Sequence, residues 1–222
     1  RDRALEMFAR AYYPGRSGQI ALVPKKGGFI TRRGTAFMHG SPWGYDVHIP
    51  FLLWGPGHVR KGVFSAPVAQ QDMAPTLARM LGVVLPGATG RPQGQALVTG
   101  ARPPRVMLLI VLDGMRADYL DRRAADLPEL TRLRREGASF VQARVTHAPS
   151  ITTAGHATIA TGTAPRRHGI VTNTIFDRTS GKEVEIFRGL SPRNLMALAL
   201  ADVWNVETDG QAIIATQVSI GR

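Results

Sequence analysis

The sequence contains no cysteine among its 222 residues, which excludes disulfide bonds, thiolate metal ligands and a cysteine nucleophile. It also lacks any apolar run near the roughly 18 to 20 residues that a membrane-spanning helix requires. Acidic residues are scarce, because 16 Asp and Glu stand against 28 Lys and Arg, for a formal net charge of +12. The arginines are scattered in pairs without a sustained basic helix. We therefore expect a solvated surface that attracts anionic substrates, with neither nucleic acid nor a membrane as partner.

Strand-like segments alternate with helix-like segments along the chain. Strands are predicted at 18–24, 49–57, 106–112, 139–145 and 211–220. Helices are predicted from a cap at Asp72 to about Leu81, from a cap at Asp126 to Gly137, and from Ser191-Pro192 toward Trp204. The run VMLLIVL at 106–112 is typical of a central parallel strand. This alternation predicts an α/β domain with a mostly parallel sheet.

Two stretches contain candidate catalytic or metal-binding residues. Asp113 follows the apolar run 106–112 and is either a carboxylate metal ligand or part of a strand-end Asp-Gly turn. In HAPSITTAGHATIATG (147–162), Thr152 and Thr153 precede small helix-compatible residues. A hydroxyl there lies beside free N–H groups and the positive end of the helix dipole, although one threonine could simply cap the helix. A threonine nucleophile needs a base or metal, and without a G-x-S-x-G motif metal activation is the more natural route.

Two further polar residues are weaker candidates. Asn173 ends the stretch PRRHGIVTN and either donates a hydrogen bond to an oxyanion or closes a turn. His39, in MHGSPWGYDVHIP, either binds zinc through a neutral ring nitrogen or is structural. Each signal is weak by itself, so the assignment depends on their combination.

Four stretches together resemble the alkaline phosphatase superfamily. They are LIVLDGMRADYL, PSITTAGHATIATGTAPRRHGIVTN, HGSPWGYDVHIPFLLWGPG and APVAQQDMAPTLARMLGVVLP. The branch that they resemble comprises bacterial alkaline phosphatases with a threonine nucleophile and their nucleotide pyrophosphatase/phosphodiesterase relatives. The resemblance covers most of residues 10–98 and 104–222. It implies an α/β/α sandwich with a mostly parallel central sheet, incomplete in this chain, and a periplasmic or secreted enzyme.

The resemblance also implies a role for individual residues. Asp113 matches the first metal-binding aspartate, and Thr152, four residues before the motif histidine, matches the nucleophile. Asn173 matches the asparagine that holds a phosphate oxygen, and His39 matches a ligand of the first zinc. Arg222 falls near a phosphate-binding arginine.

Two other histidines occur in the matching motifs. His48 is a less favoured candidate for the zinc-ligand role of His39. His156 is the motif histidine itself, and it is expected to be structural, packing the helix under the site.

The function implied is zinc-dependent hydrolysis of small phosphate esters through a phospho-threonine intermediate, with two Zn²⁺ ions. A phosphodiesterase or nucleotide pyrophosphatase on the same scaffold is the alternative, and a non-catalytic fragment without a complete metal site is another. A sulfatase is disfavoured, because no C/S-x-P-x-R motif is present.

The order of the segments departs from the family. Residues 1–98 resemble the segment that closes the family's chain, residues 99–105 form a linker or junction, and 106–222 resemble the opening segment. The middle, with the remaining zinc ligands, has no counterpart. A circular permutation explains the order alone, whereas a chain that joins the two ends of a longer protein explains both departures and is the hypothesis we favour.

Overall fold

The structure is a computed structural model that describes residues 2–31, 33–35 and 38–217. Its α-helices are α1 (Asp2–Ala11), α2 (Gly44–Val47), α3 (Met73–Leu81), α4 (Tyr119–Arg122), α5 (Pro128–Glu136), α6 (Thr152–Thr161), α7 (Pro165–His168) and α8 (Leu200–Glu207). Its strands are β1 (Leu52–Leu53), β2 (Gly62–Phe64), β3 (Val68–Ala69), β4 (Ala138–Phe140), β5 (Ala143–Arg144), β6 (Thr174–Asp177) and β7 (Lys182–Glu185). This content confirms the α/β class. None of the described helices is long and apolar enough to cross a membrane.

The strands form small sheets that join the early and late parts of the chain. Strand β4 lies between β1 and β2, antiparallel to β1 and parallel to β2, with Ser139 opposite both Leu52 and Val63. Strands β3 and β5 pair in parallel, again across the two parts. Strands β6 and β7 form an antiparallel pair. The late segment therefore completes sheets that the early segment begins.

The main apolar core is built around three aromatic rings. Phe140 packs edge-on against Phe51, with ring centroids 5.0 Å apart, and is stacked on Phe64 at 5.2 Å. Leu77 of α3 and Ala138 of β4 are buried in the same cluster. Because these side chains come from both sides of the 99–105 linker, the two segments share one core.

The predicted helix from Asp72 to Leu81 is confirmed as α3. It ends at Gly82, whose φ of 76° is the left-handed conformation that glycine adopts readily. The predicted capping role of Asp72 is wrong, because its side chain makes no cap bond to the helix. Its buried carboxylate instead accepts hydrogen bonds from the N–H groups of Ala69 and Arg91, at 2.9 and 2.8 Å.

The other two predicted helices begin later than expected. Asp126 does not cap α5, which starts at Pro128, and its carboxylate pairs with Arg123 at 2.8 Å. The predicted helix from Ser191 is divided. Ser191 accepts from the N–H of Arg193 and caps a single 3-10 turn, and α8 follows separately.

Several predicted strands are absent or shorter in the described part of the chain. Residues 106–112, predicted as a central strand, pair with no other strand there, and neither do 18–24 or 211–217; residues 218–220 lie outside the described residues. The predicted strand 49–57 is reduced to β1, and 139–145 is divided between β4 and β5. A central strand needs a hydrogen-bonded neighbour on each edge, and apolar character alone does not supply one.

Gly137, which lies between the end of α5 and the start of β4, has no room for a side chain. A Cβ there would collide with the carbonyl oxygen of Leu53 and lie 3.0 Å from that of Leu133. We expect Gly137→Ala to lower the free energy of unfolding by about 3 kcal/mol, because backbone must move to relieve the overlap. Urea denaturation measures this change. The matched control is Gly44→Ala, whose Cβ would meet nothing within 4 Å; equal losses in both variants would contradict the prediction.

Candidate active site

Helix α6 begins with an uncapped pair of threonines. The N-cap position is Ile151, in extended conformation with φ −117° and ψ 163°, and neither its side chain nor a threonine hydroxyl bonds an N–H group of the first turn. The alternative in which Thr152 or Thr153 serves only as the N-cap is therefore wrong. Both hydroxyls are free to bond outside the helix, beside its unsatisfied N–H groups and the positive end of its dipole.

The hydroxyl of Thr152 faces Asp113 across 39 positions of sequence. Its Oγ1 donates a hydrogen bond of 2.9 Å to Asp113 Oδ2. Asp113 follows the segment 106–112 and precedes Gly114, whose φ of 72° turns the chain toward α4. The carboxylate of Asp113 thus contacts the hydroxyl that the resemblance implies to be the nucleophile. The side chain of Asp113 is exposed to solvent.

Asn173 lies at the same helix start but bonds the neighbouring threonine. Its Oδ1 accepts hydrogen bonds from Thr153 N at 3.2 Å and Thr153 Oγ1 at 3.0 Å. Within the described residues its amide nitrogen has no partner, so both amide hydrogens can be donated to a ligand. The two threonines are thus distinguished by their contacts: Thr153 is held by Asn173, and Thr152 faces Asp113.

His39 contacts the backbone of the motif that leads into α6. Its Nδ1 lies 2.9 Å from the carbonyl oxygen of Ser150. Because a carbonyl only accepts, Nδ1 carries the hydrogen and Nε2 is left as the lone-pair nitrogen in the neutral ring. A hydrogen bond of this kind fixes the ring of many metal-binding histidines.

His48, the other zinc-ligand candidate, also contacts the backbone. Its Nε2 lies 2.9 Å from the carbonyl oxygen of Val141, and its main chain forms a β-bridge with Arg144. The ring of His48 therefore bonds a backbone carbonyl through one nitrogen, as the ring of His39 does.

His156 differs in part from its expected role. The expectation was a side chain packed under the helix, but the ring is exposed. Its Nδ1 lies 2.7 Å from the carbonyl oxygen of Thr152, one turn earlier in α6. The prediction of packing is therefore wrong. A polar ring at the first turn reaches a nearby backbone acceptor while remaining in solvent.

The site provides donors suited to zinc but too few of them. Asp113 and Thr152 offer oxygens and His39 a ring nitrogen, all of which zinc accepts. These three donors are too few for the two expected ions, because each catalytic zinc normally has three protein ligands. Within residues 2–31, 33–35 and 38–217, no group of three or more His, Cys, Asp or Glu could hold a metal ion. Arg222, the expected phosphate-binding arginine, lies outside the described residues.

Buried polar groups that the sequence did not single out lie beneath the site. Ser150 orients His39 through its carbonyl, and its own hydroxyl is buried without a partner among the described residues. Gln70 lies against Gly155 of α6, its Nε2 3.5 Å from the position of a Cβ there. In the sequence, only the position of Ser150 inside the stretch 147–162 indicates a role at the site, and nothing indicates one for Gln70.

Two buried histidines, His147 and His168, lie before and after α6 in the sequence. Burial, and then the charge of His168, lower the pKa of His147 to about 3; both ring nitrogens of His147 lack a partner in the described part of the chain. Burial lowers the pKa of His168 to about 4. Its Nδ1 accepts from Ile170 N at 3.1 Å, which leaves Nε2 to donate to Thr158 Oγ1 at 3.0 Å. Both rings are neutral at physiological pH.

The fold and site define a mixed α/β protein with a hydroxyl, a carboxylate and an amide gathered at a helix N-terminus. The family described as type I phosphodiesterase / nucleotide pyrophosphatase matches residues 107–210. Similar proteins include alkaline phosphatase PafA of Elizabethkingia meningoseptica, 36% identical over 89 residues, and alkaline phosphatase PhoV of Synechococcus elongatus, 30% identical over 122 residues. Alkaline phosphatase PhoK of a Sphingomonas species is 38% identical over 84 residues. These matches support membership of the alkaline phosphatase superfamily, as the motifs predicted.

The matches cover only part of each protein. They span 39%, 48% and 37% of this chain for PafA, PhoV and PhoK, but 16%, 22% and 15% of those relatives. The chain therefore aligns with less than a quarter of each of these relatives. No solved structure matches the chain.

Proposed function

We propose that this chain carries the nucleophile portion of a zinc-dependent phosphate-ester hydrolase, with Thr152 as the nucleophile. The observation that carries the proposal is the 2.9 Å hydrogen bond from Thr152 Oγ1 to Asp113 Oδ2 at the start of α6. A threonine hydroxyl is a weak nucleophile unless a neighbouring group activates it. Here the neighbour is a carboxylate, and the N-terminus of a helix stabilises negative charge beside it.

The chain's own residues account for attack and for anion binding. Thr152 Oγ1 forms a bond to phosphorus as the ester oxygen leaves with its bonding electrons. The hydroxyl proton moves to Asp113 Oδ2, which accepts its hydrogen bond, and from there to the leaving oxygen, so that an alcohol is released. The unsatisfied N–H groups at the start of α6 and the free amide of Asn173 donate to the phosphoryl oxygens. Water then cleaves the phospho-threonine ester and releases phosphate.

Asp113, Thr152 and His39 are the residues that would hold zinc. A zinc ion bound there would lower the pKa of the hydroxyl and neutralise charge on the reacting oxygens. His39 suits this role because the hydrogen bond at Nδ1 leaves Nε2 as the donor nitrogen. Each ion requires further ligands from outside the described residues.

Covalent trapping tests the proposal directly. The purified chain is incubated with Zn²⁺ and an aryl phosphate monoester, quenched in acid and analysed by intact mass and peptide mapping. We expect the mass to rise by one phosphoryl group, located on Thr152. Phosphate on Thr153 or on a serine of the same peptide would contradict the assignment. A Thr153→Ala variant serves as the matched control and is expected to be labelled like the parent.

The incomplete donor set favours a second candidate, a phosphate-binding module without catalysis. It would keep the helix N-terminus and Asn173 but hold no metal. Zinc analysis separates the two: near-stoichiometric zinc supports the hydrolase, whereas absence of zinc together with binding of inorganic phosphate supports the module. Comparing rates on aryl monoesters and diesters then distinguishes an alkaline phosphatase-like activity from a phosphodiesterase or nucleotide pyrophosphatase.

A further inference from the structure

The stretch HGSPWGYD at 39–46 ends in an aspartate whose contacts lead back toward His39. Asp46 Oδ2 accepts a hydrogen bond from the N–H of Ser41 at 2.9 Å and a second one from the Ser41 hydroxyl. Ser41 is buried and Asp46 is half-buried. Hydrogen bonds to a carboxylate are stronger than those to a neutral acceptor, and shielding from water strengthens them further. The side chain of Asp46 therefore closes the loop 41–46 onto Ser41.

Asp46 is held on a rigid part of the fold. It lies in α2, and the next residue, Val47, is fully buried and packs in one apolar cluster with Val145 and Ala148. The N–H of Val145 also donates to the carbonyl oxygen of Val47 at 2.8 Å. Because α2 is anchored in this way, the carboxylate has a fixed position to which Ser41 is tied.

The carboxylate of Asp46 does not serve α2 itself. The N-cap position of α2 is Trp43, whose side chain makes no cap bond. In the described part of the chain, the hydrogen bonds that Asp46 accepts both come from Ser41, which precedes the helix. The role of Asp46 is therefore sought in the turn at 39–41 rather than in the capping of α2.

The turn at 39–41 connects Ser41 to the site. It bends at Gly40, whose φ of 111° is a conformation that residues with a side chain rarely adopt. The carbonyl oxygen of Gly40 accepts from the N–H of Ser150 at 3.4 Å, and His39 Nδ1 lies 2.9 Å from the carbonyl oxygen of Ser150. Fixing Ser41 therefore holds the turn in the position from which the ring of His39 reaches Ser150.

We propose that Asp46 is a positioning residue for His39, and that it acts through Ser41 and the turn at 39–41. The turn keeps the ring against the carbonyl of Ser150, which holds the hydrogen on Nδ1 and leaves the lone pair on Nε2. Removal of an outer contact that orients a metal-binding histidine typically lowers metal affinity about 10- to 100-fold. The consequence for zinc rests on the proposed function, whereas the positioning of the ring rests on these contacts.

The tautomer of the His39 ring tests the proposal without any activity measurement. Long-range proton–nitrogen correlation spectra of the zinc-free chain are recorded at about pH 8.5, where an ordinary imidazole is neutral. His39→Gln assigns the signals, and we expect the Nδ1–H form in the parent. In Asp46→Ala we expect both tautomers to be populated. Asp46→Asn keeps an oxygen that can accept both bonds from Ser41 and is expected to retain the parent signals.

The chain offers two controls for these spectra. Asp202 Oδ2 accepts from the N–H of Ala199 at 2.8 Å at the start of α8, so Asp202→Ala removes the same kind of bond from another helix. We expect the His39 signals to be unchanged in this variant. The buried ring of His168, which its hydrogen bonds hold in the Nε2–H form, is an internal reference for folding. Its signals should be the same in every folded variant.

Three results would overturn the proposal. An Nε2–H or mixed ring in the parent shows that Ser150 does not hold His39. Parent-like His39 signals in Asp46→Ala show that the carboxylate does not position the ring, and equal changes in Asp46→Ala and Asp202→Ala show that the effect is not specific to this turn. If Asp46→Ala does not fold, Ser41→Ala, which removes only the hydroxyl bond, is subject to the same criteria.

Zinc titration against a chromophoric chelator measures the consequence for the metal. We expect Asp46→Ala to bind zinc about tenfold or more weakly than Asp46→Asn. A parent chain that takes up no zinc would count against the proposed function, while the tautomer spectra would still decide the role of Asp46. Failure of the proposed function and failure of this inference are therefore distinguishable.

Discussion

Replacing Thr152 with alanine is expected to lower the rate of phosphate-ester hydrolysis by the zinc-supplied protein by roughly a thousandfold or more. The variant removes the oxygen that attacks phosphorus and leaves the anion-binding groups of α6 in place. Because those groups remain, binding of inorganic phosphate should change far less than the rate. Steady-state assays with an aryl phosphate, together with phosphate-binding measurements, give both quantities.

Two neighbouring variants make this result specific. Thr153→Ala removes a hydroxyl that bonds Asn173 and is expected to lower the rate roughly tenfold or less, through a less fixed amide. Thr152→Ser keeps the reacting oxygen and is expected to retain activity well above Thr152→Ala. If Thr152→Ala kept the parent rate at unchanged metal content, Thr152 would not be the nucleophile.

Acidification from pH 7 to pH 5 is expected to lower the free energy of unfolding by about 3 to 4 kcal/mol through His147 and His168. Burial lowers their pKa values to about 3 and about 4 in the folded protein, against an ordinary value of 6.5. The unfolded chain therefore binds more protons between those values and 6.5. The stabilisation is complete above pH 6.5 and is lost as the pH falls toward 4.

The structural cost of protonation differs between the two rings. A proton on His168 Nδ1 would displace the N–H of Ile170, which now donates to that nitrogen. A proton on His147 would place a charge among buried groups, where neither nitrogen has a partner in the described residues. Both events favour the unfolded chain.

Urea denaturation at a series of pH values measures this dependence. His147→Leu is expected to remove about half of the slope and to cost little at pH 7, because the unpartnered nitrogens are replaced by an apolar group. The exposed His156 provides the control, and His156→Gln should keep the slope of the parent. A stability that is flat between pH 7 and pH 5 would be inconsistent with two buried neutral rings.

Part of the site could be predicted from the sequence. The resemblance to the alkaline phosphatase superfamily places Asp113 and Thr152 in one site, and the structure joins the two side chains by a hydrogen bond. The helix that begins at Thr152 could be predicted from the small, helix-compatible residues that follow the two threonines. The sequence did not predict that Asn173 bonds Thr153 rather than Thr152. The angle at which the chain enters α6 decides which of the two adjacent hydroxyls the amide reaches.

The segment 106–112, which was predicted as a strand, shows that an apolar pattern does not determine whether a segment pairs with other strands. The pattern describes a segment suited to burial on both faces, but strand formation also needs neighbours for its N–H and carbonyl groups. Asp72 shows the same limit for caps. Its position before α3 is typical of a helix cap, yet the buried carboxylate bonds the N–H of Ala69, three residues earlier, and the N–H of Arg91, which tertiary folding brings close.

The position of β4 between β1 and β2 makes the order of the two segments nearly irrelevant to the sheet. A strand from the late segment is hydrogen-bonded on both edges by strands of the early one. Residues 99–105 keep both segments on one chain, which raises the effective concentration of each segment near the other. Hydrogen bonds between the strands hold β4 in register with β1 and β2. A chain in which the two segments follow each other in the opposite order can therefore form the same sheet.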